Sequence, residues 1–310
     1  MPDVLGIDTS NYTTSAALLC GGEIRQSKKL LPVKPGEMGL RQSDAVFHHV
    51  QQLPEVMEAL PFTGAEIAAV GVSNRPRSIE GSYMPCFLAG VSAAKAVSLS
   101  LHVPLHFFSH QQGHIAAALY SAKKLDLLHG RFLAFHVSGG TTEAVLVQPD
   151  EQEIFTTKIV AQSLDLKAGQ AVDRVGVMLG LRFPAGPELE KLALHAEKPR
   201  KIHPCLKGSD CSLSGIENRC HAKLEQGVPK EEIAAFCLYS VLAALDGMAA
   251  SLLEEYGSLP LLFAGGVMSN SIIREALTEK YGAYFAEPAF SADNAAGIAV
   301  LAAMREGIEL

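Results

Sequence analysis

Two histidines four positions apart, His110 and His114 in the stretch SHQQGHIAAAL, are the residues whose types and spacing point most directly to chemistry. On a helix that spacing puts both imidazoles on one face, a turn apart, where two ring nitrogens can share a metal ion. The alternative is a pair of surface or capping histidines. His136 strengthens the metal reading because it ends an apolar run just before Ser138, Gly139 and Gly140. Asp293, in FSADNAAGIAV, offers a carboxylate at the expected start of a helix, or acts as its N-cap. A zinc-peptidase reading fails, since Gln111 stands where the general-base glutamate must follow the first histidine.

A second set of residues suits an anion. Residues 5–19, LGIDTSNYTTSAALL, lie without gaps on residues 133–147, LAFHVSGGTTEAVLV, with Leu5, Ser10, Thr13, Thr14, Ala16 and Leu18 meeting identical partners. Each copy reads as strand, small-residue turn, strand. A tip of Ser, Thr and Gly lets phosphate oxygens approach backbone N–H groups, so two tips, one per half, predict a phosphate clamp. Further on, LLFAGGVMSNSIIREAL reads as strand, turn, helix. There Gly265 and Gly266 permit close backbone approach, or simply make a tight connection, and Asn270 caps the helix or bonds a ligand. Asp173 falls on a helical stretch before the Pro-Ala-Gly-Pro loop that contains Gly186. It either holds ribose hydroxyls or is an exposed helix acid.

The elements that must position these groups follow from pattern and composition. IAAVGVS at 67–73 precedes a helical run over 86–100, and LLFA at 261–264 precedes another helix, so the chain predicts two α/β lobes. The longest helix spans 230–255, with Pro229 at its start, Gly257 past its end and Leu238, Leu242, Leu245, Ala249 and Leu252 on one face. Segments 31–43 and 199–215 read as loops. The net charge of −7 gives no overall basic field to draw nucleic acid or an anionic membrane. The six cysteines form no C-x-x-C pair and are expected reduced, in the cytoplasm. No stretch reads as a signal peptide or as a bilayer-spanning run of apolar residues.

Taken as a set, VLGIDTS, HQQGH, VSGGTTE, AGQAVDRVGVMLGLRFPAGP, SLSGI, AGGVMSN and SADNAA resemble the Gcp/TsaD family from Val4 to about Ala302. That family consists of proteins of the ASKHA superfamily that transfer a threonylcarbamoyl group from threonylcarbamoyl-AMP to N6 of adenosine in tRNA. The resemblance implies a duplicated actin-like, ribonuclease H-like α/β fold with a central nucleotide cleft. Its lobes would span 1–127 and 128–310, the last helix (about 293–308) packing back at the interface. It makes His110, His114 and Asp293 ligands of one divalent metal, iron or zinc, with His136 where some members use a tyrosine. Ser10 would join the nucleotide site. Val137, Ser138, Gly139 and Gly140 would surround the phosphate, Asp173 and Gly186 the nucleoside, and Gly265, Gly266 and Asn270 the adenine side. The implied ligand is ATP or threonylcarbamoyl-AMP, and the implied partners are tRNA and a TsaB-like protein or a second copy of the chain, with no membrane.

The chain departs from the family pattern at several places. The E-T-S-C-D-E run is here Asp8 to Thr13, with Asn11, Tyr12 and Thr13 replacing an acidic pair associated with catalysis, so no catalytic residue is assigned. The S-G-L-K-T run becomes Ser214 to Asn218, exchanging a lysine for Glu217, and the glutamate of A-G-E is Gln170. Loss of that cation weakens contacts to an RNA backbone. The leading expectation is therefore a metal- and nucleotide-dependent acyltransferase of the threonylcarbamoyl or carbamoyl type. Beside it stand carbamoyl transfer to a non-tRNA acceptor and a non-catalytic nucleotide- and metal-binding partner protein.

Overall fold

The computed structural model describes residues 2–10, 12–32, 40–62, 64–291 and 295–310. The chain forms two compact units. The first comprises Met1–Leu125, Pro149–Thr156 and Ala289–Leu310, and the second Asp126–Gln148 and Thr157–Pro288.

The first unit opens with β1 (Asp3–Ser10), β2 (Thr13–Cys20) and β3 (Glu23–Leu30), which pair antiparallel, and continues through α1 (Gln42–Glu58), β4 (Ile67–Arg75), α2 (Phe87–Leu101), β5 (Leu105–Ser109) and α3 (His110–Ser121). Its sheet order is β3-β2-β1-β4-β5, with β4 and β5 parallel to β1. Every residue of β1 is buried. β3, by contrast, is the exposed edge, and Glu23, Arg25, Lys28 and Lys29 along it discourage pairing with another chain. Most of the segment expected as a loop over 31–43 lies outside the described residues, and α1 begins within that range.

The second unit repeats this plan. It contains β6 (Phe132–Val137), β7 (Thr142–Asp150), β8 (Ile154–Gln162), α4 (Ala168–Met178), α5 (Gly186–Ala193), β9 (Leu206–Lys207), β10 (Asp210–Cys211), α6 (Ser214–Glu225), α7 (Lys230–Tyr256), β11 (Leu261–Ala264), α8 (Ser271–Tyr281) and β12 (Tyr284–Phe285). The first residues of β8, with the end of β7, cluster with the first unit. The main sheet order, β12-β11-β6-β7-β8, matches the first: an antiparallel meander with two parallel strands on its inner side. The sequence repeat of residues 5–19 and 133–147 is thus a repeat of whole sheets. The short pair β9–β10 lies inside the stretch expected to be loop over 199–215.

Helix α7 corrects one expectation. It has 27 residues and an apolar window of mean hydropathy 1.8, long and apolar enough to cross a bilayer, although no such run was read from the sequence. In this structure 67% of that window is buried, and α7 packs against α4, α5, α6 and α8 as the core helix of its unit. Pro229 and Gly257 bound it as expected.

The chain then returns to the first unit as α9 (Ala295–Arg305), so the bounds 1–127 and 128–310 do not describe the units found. The reason lies in the composition of α9. AAGIAVLAAMR is small and apolar all round, and Ala295 through Ala303 are all buried, as a fully enclosed helix requires. It packs on β1, β2 and β4 and against α3. At the α3 contact a side chain on Gly297 would collide with the Gly113 carbonyl, so the two backbones touch directly.

Candidate functional site

In the first unit, a capping box sets the start of α3. The Ser109 hydroxyl accepts from the Gln112 amide at 3.2 Å, and the Gln112 side chain accepts from the Ser109 amide at 2.8 Å. His110 is therefore the first helical residue, and His114 follows one turn later. Their ring centroids are 4.6 Å apart at an interplanar angle of 66°.

Behind His110 stands Asp8, in β1 and 1% exposed. Its two carboxylate oxygens lie 3.2 and 3.3 Å from His110 Nδ1. Ser10 donates to Asp8 Oδ2 at 2.7 Å, and Ser73 from β4 donates to Oδ1. Burial pushes the Asp8 carboxyl up, but the His110 imidazole and the two hydroxyls outweigh it and hold the group below its usual value. An ionised Asp8 accepts a hydrogen bond from His110 Nδ1–H, and in that tautomer Nε2 is the lone-pair nitrogen. Nε2 has a long 3.4 Å approach to Ser10 Oγ. A carboxylate behind one ring nitrogen and a lone pair on the other is how proteins orient a ligating histidine.

Of the four expected metal ligands, the structure brings His110 and His114 together. His136 is in the second unit, at the end of β6 and opposite Glu143 on β7. Asp293 lies outside the described residues. Among the described residues no group of three or more His, Cys, Asp or Glu is arranged to hold a metal ion. Ser10, expected with the nucleotide, is engaged by Asp8.

In the second unit, Gly139, Asp173, Gly186, Gly266 and Asn270 all line one cavity of about 240 Å³. They come from the β6–β7 turn, α4, the start of α5 and the turn into α8, so four separate stretches of chain meet there. The tip itself is prefolded. Ser138 N–H donates to the Thr141 carbonyl at 2.7 Å, and Ser138 Oγ accepts from the amides of Gly140 and Thr141 at 3.3 and 3.1 Å. α4 starts against this turn. Gly169 N–H donates to the Ser138 carbonyl at 3.1 Å, and a side chain there would come within 2.6 Å of the Gly139 nitrogen.

Gly265, at φ +103°, adopts a backbone that L side chains rarely take, and a Cβ would strike the Val137 carbonyl. Val137 and Gly265 thus pack backbone against backbone, and neither of them lines the cavity. Asn270 takes the capping role read from its sequence context, and it lines the cavity. Its Oδ1 accepts from Ile273 N–H at 3.1 Å and caps α8, which leaves the amide NH₂ as its donor on the cavity wall. Asp173 Oδ1 accepts from Ala185 N–H at 2.8 Å, tying α4 to the Pro-Ala-Gly-Pro loop.

Residues 33–300 match the TsaD family, described as tRNA N6-adenosine threonylcarbamoyltransferase. The tRNA N6-adenosine threonylcarbamoyltransferase of Halalkalibacterium halodurans is 32% identical over 97% of this chain and 90% of its own length. That of Methanopyrus kandleri is 29% identical over 90% and 80%. This chain belongs to the TsaD family. Its fold is also that of full-length HypF, solved in a phosphate- and nucleotide-bound form. The likeness has a TM-score of 0.62 at 15% identity, covering 97% of this chain and 55% of that one. Together with the repeated sheets, this makes the fold the duplicated α/β fold of the ASKHA superfamily.

Two residues of this TsaD-family chain escaped the sequence reading of the site. Glu190, also on the cavity wall, accepts from Ser271 N–H at 2.7 Å and Ser271 Oγ at 2.6 Å, linking α5 to α8. Its signal was its place four residues after Gly186, on the same face of α5. Asp8 was legible as a carboxylate directly after the apolar run Val4–Ile7, a position that demands partners when buried.

Proposed function

We propose that this chain transfers a threonylcarbamoyl group from threonylcarbamoyl-AMP to N6 of an adenosine in tRNA. The observation that carries the reading is the convergence of Gly139, Asp173, Gly186, Gly266 and Asn270, from distant parts of a TsaD-family sequence, on one cavity. In the reaction the N6 amine attacks the carbamoyl carbon and a C–N bond forms. The C–O bond to the phosphate breaks, AMP leaves, and the amine gives up a proton.

Each residue on the wall has a definable task. Asp173, held by Ala185, accepts from ribose hydroxyls, and Asn270 presents its NH₂ to the purine. The prefolded Ser138–Thr141 turn and the N-terminal end of α4 receive the phosphate, where the helix dipole favours negative charge both bound and departing. Because the turn and the helix end are held in place before the ligand arrives, little reorganisation accompanies the reaction.

The donor set of the first unit fits a borderline divalent ion such as iron or zinc. His110 and His114 would hold it, and Asp8 fixes the tautomer of His110. Such an ion would supply Lewis acidity towards a carbonyl or phosphate oxygen. Asp293 and His136 remain proposed further ligands.

The test is mass spectrometry of tRNA incubated with threonylcarbamoyl-AMP and the chain, with and without a TsaB-like partner. Appearance of threonylcarbamoyladenosine is expected. Consumption of the donor with only a small molecule or protein modified would instead select carbamoyl transfer to another acceptor, which the loss of the acidic pair at Asn11–Thr13 favours. Nucleotide binding without turnover towards any acceptor would reduce the chain to a binding partner.

A further inference from the structure

Helix α4 has a second hollow on another face, with a volume of about 690 Å³. Gln170, Asp173, Arg174 and Val177 follow one another along the helix by three, one and three, and face Glu217 and Asn218 of α6. Asp173 lines this hollow and the cavity described above, so α4 is a partition between two spaces. Both begin at the same end of the helix. Gly169, in contact with the Ser138–Gly139 tip, lines one, and Gln170 lines the other.

The lining is unusual for an open surface. Phe183 is 75% exposed and Val177 54%, so an aromatic ring and an aliphatic side chain of the lining face solvent. Polar groups ring them, but they do not form a cationic seat: Arg174 is tied to Glu217 at 3.0 Å. An exposed aromatic beside paired charges and amides suits an unpaired base, which stacks on the ring and offers its edge to hydrogen-bonding groups. Carboxylates outnumber the arginine here, favouring a base edge that donates. Three departures from the family pattern, Gln170, Glu217 and Asn218, meet in this one hollow.

We propose that this hollow seats an unpaired, amine-bearing base of the RNA acceptor, with Phe183 as its stacking platform and Glu217 and Asn218 reading its edge. The inference rests on RNA being the acceptor class and adds where on the chain another base of that RNA lies: because α4 separates the two spaces, the seated base is a neighbour of the one modified. The departure at Glu217 then exchanges a phosphate contact for a base contact.

The chain contains no tryptophan, so Phe183→Trp installs a single indole at the platform. Titration with an anticodon stem-loop RNA bearing an unpaired adenosine should quench its fluorescence to saturation. The same RNA with purine, which lacks the amine, should bind about tenfold more weakly. In the otherwise unaltered chain Phe183→Ala should raise the KM for RNA about tenfold, and Glu217→Gln should narrow the preference for adenine over purine, while affinity for the adenine nucleotide is unchanged in both. Wild-type transfer to tRNA, with no quenching and an unchanged KM in Phe183→Ala, overturns this inference and leaves the proposed function standing. Absence of any RNA binding by the wild-type chain removes both.

Discussion

The two repeated hairpins carry the same residues at equivalent positions and use them in opposite senses. Ser10 donates its hydroxyl to the Asp8 carboxylate, whereas Ser138 accepts from the amides of its own turn. Thr14 is buried in bonds to Gln52 and His49 of α1, whereas Thr142 accepts from Ala168 N–H and so holds the first residue of α4. The difference traces to the residue two places before each serine, Asp8 in one copy and His136 in the other. A buried carboxylate recruits hydroxyl donors and an imidazole and becomes a charged cluster. Without it, the same serine turns to the backbone and shapes a receptacle for an anion. Duplication thus gives one scaffold two kinds of tip, and the second is a backbone device that needs glycine rather than charge.

Substitutions that strike the charged tip should have the largest effect. His110→Ala and His114→Ala are each expected to abolish retention of a divalent ion and to lower transfer by at least about a hundredfold, read by elemental analysis and by product mass spectrometry. Asp8→Asn keeps the shape but removes the charge behind His110, and should weaken binding of zinc by about 10- to 100-fold in a competition titration. Retention of full zinc affinity by Asp8→Asn would mean that the carboxylate has no part in orienting the ring.

Comparing the two serines sharpens the contrast. Ser138→Ala strips the Gly140 and Thr141 amides of their acceptor and should lower affinity for the adenine nucleotide severalfold, about 1 kcal/mol by calorimetry. Ser10→Ala should lower zinc affinity and affect nucleotide affinity less than Ser138→Ala does. Equal effects of both substitutions on both ligands would erase the distinction between the tips.

What the sequence made legible was what is local. The capping box at Ser109, the long face of α7 and the repeated hairpins are set by spacing, and each was read or readable from a few adjacent residues. The internal repeat carried further, because two copies of one pattern imply two copies of one sheet. Long-range consequences of side-chain size were hidden. Nothing local to AAGIAVLAAMR says that it is enclosed by β1, β2, β4 and α3, since that depends on the small residues those elements present to it. Nor could the reading tell that Ser10 serves Asp8, because the partners Ser73 and His110 lie more than sixty residues away.

The smallest expected effect contrasts two carboxylates, the buried Asp8 and the surface Asp165. Asp165 lies between β8 and α4 and joins that connection to the start of α6. It accepts from Leu166 and Leu213 amides at 2.6 and 2.7 Å and from Ser214 Oγ at 2.6 Å. Partial burial raises its carboxyl, but the Ser214 hydroxyl and these amides outweigh it and leave the group below its usual value. A carboxyl whose value is lowered on folding stabilises the native state above its unfolded value, near pH 4, and loses that contribution as pH falls through the lower folded value. Asp165→Asn should therefore lower the thermal midpoint by about 2–4 °C at neutral pH, and the gap from wild type should close progressively below about pH 4. A gap that stays constant into acid would show that the amide replaces the carboxylate only imperfectly in shape, with no contribution from its charge.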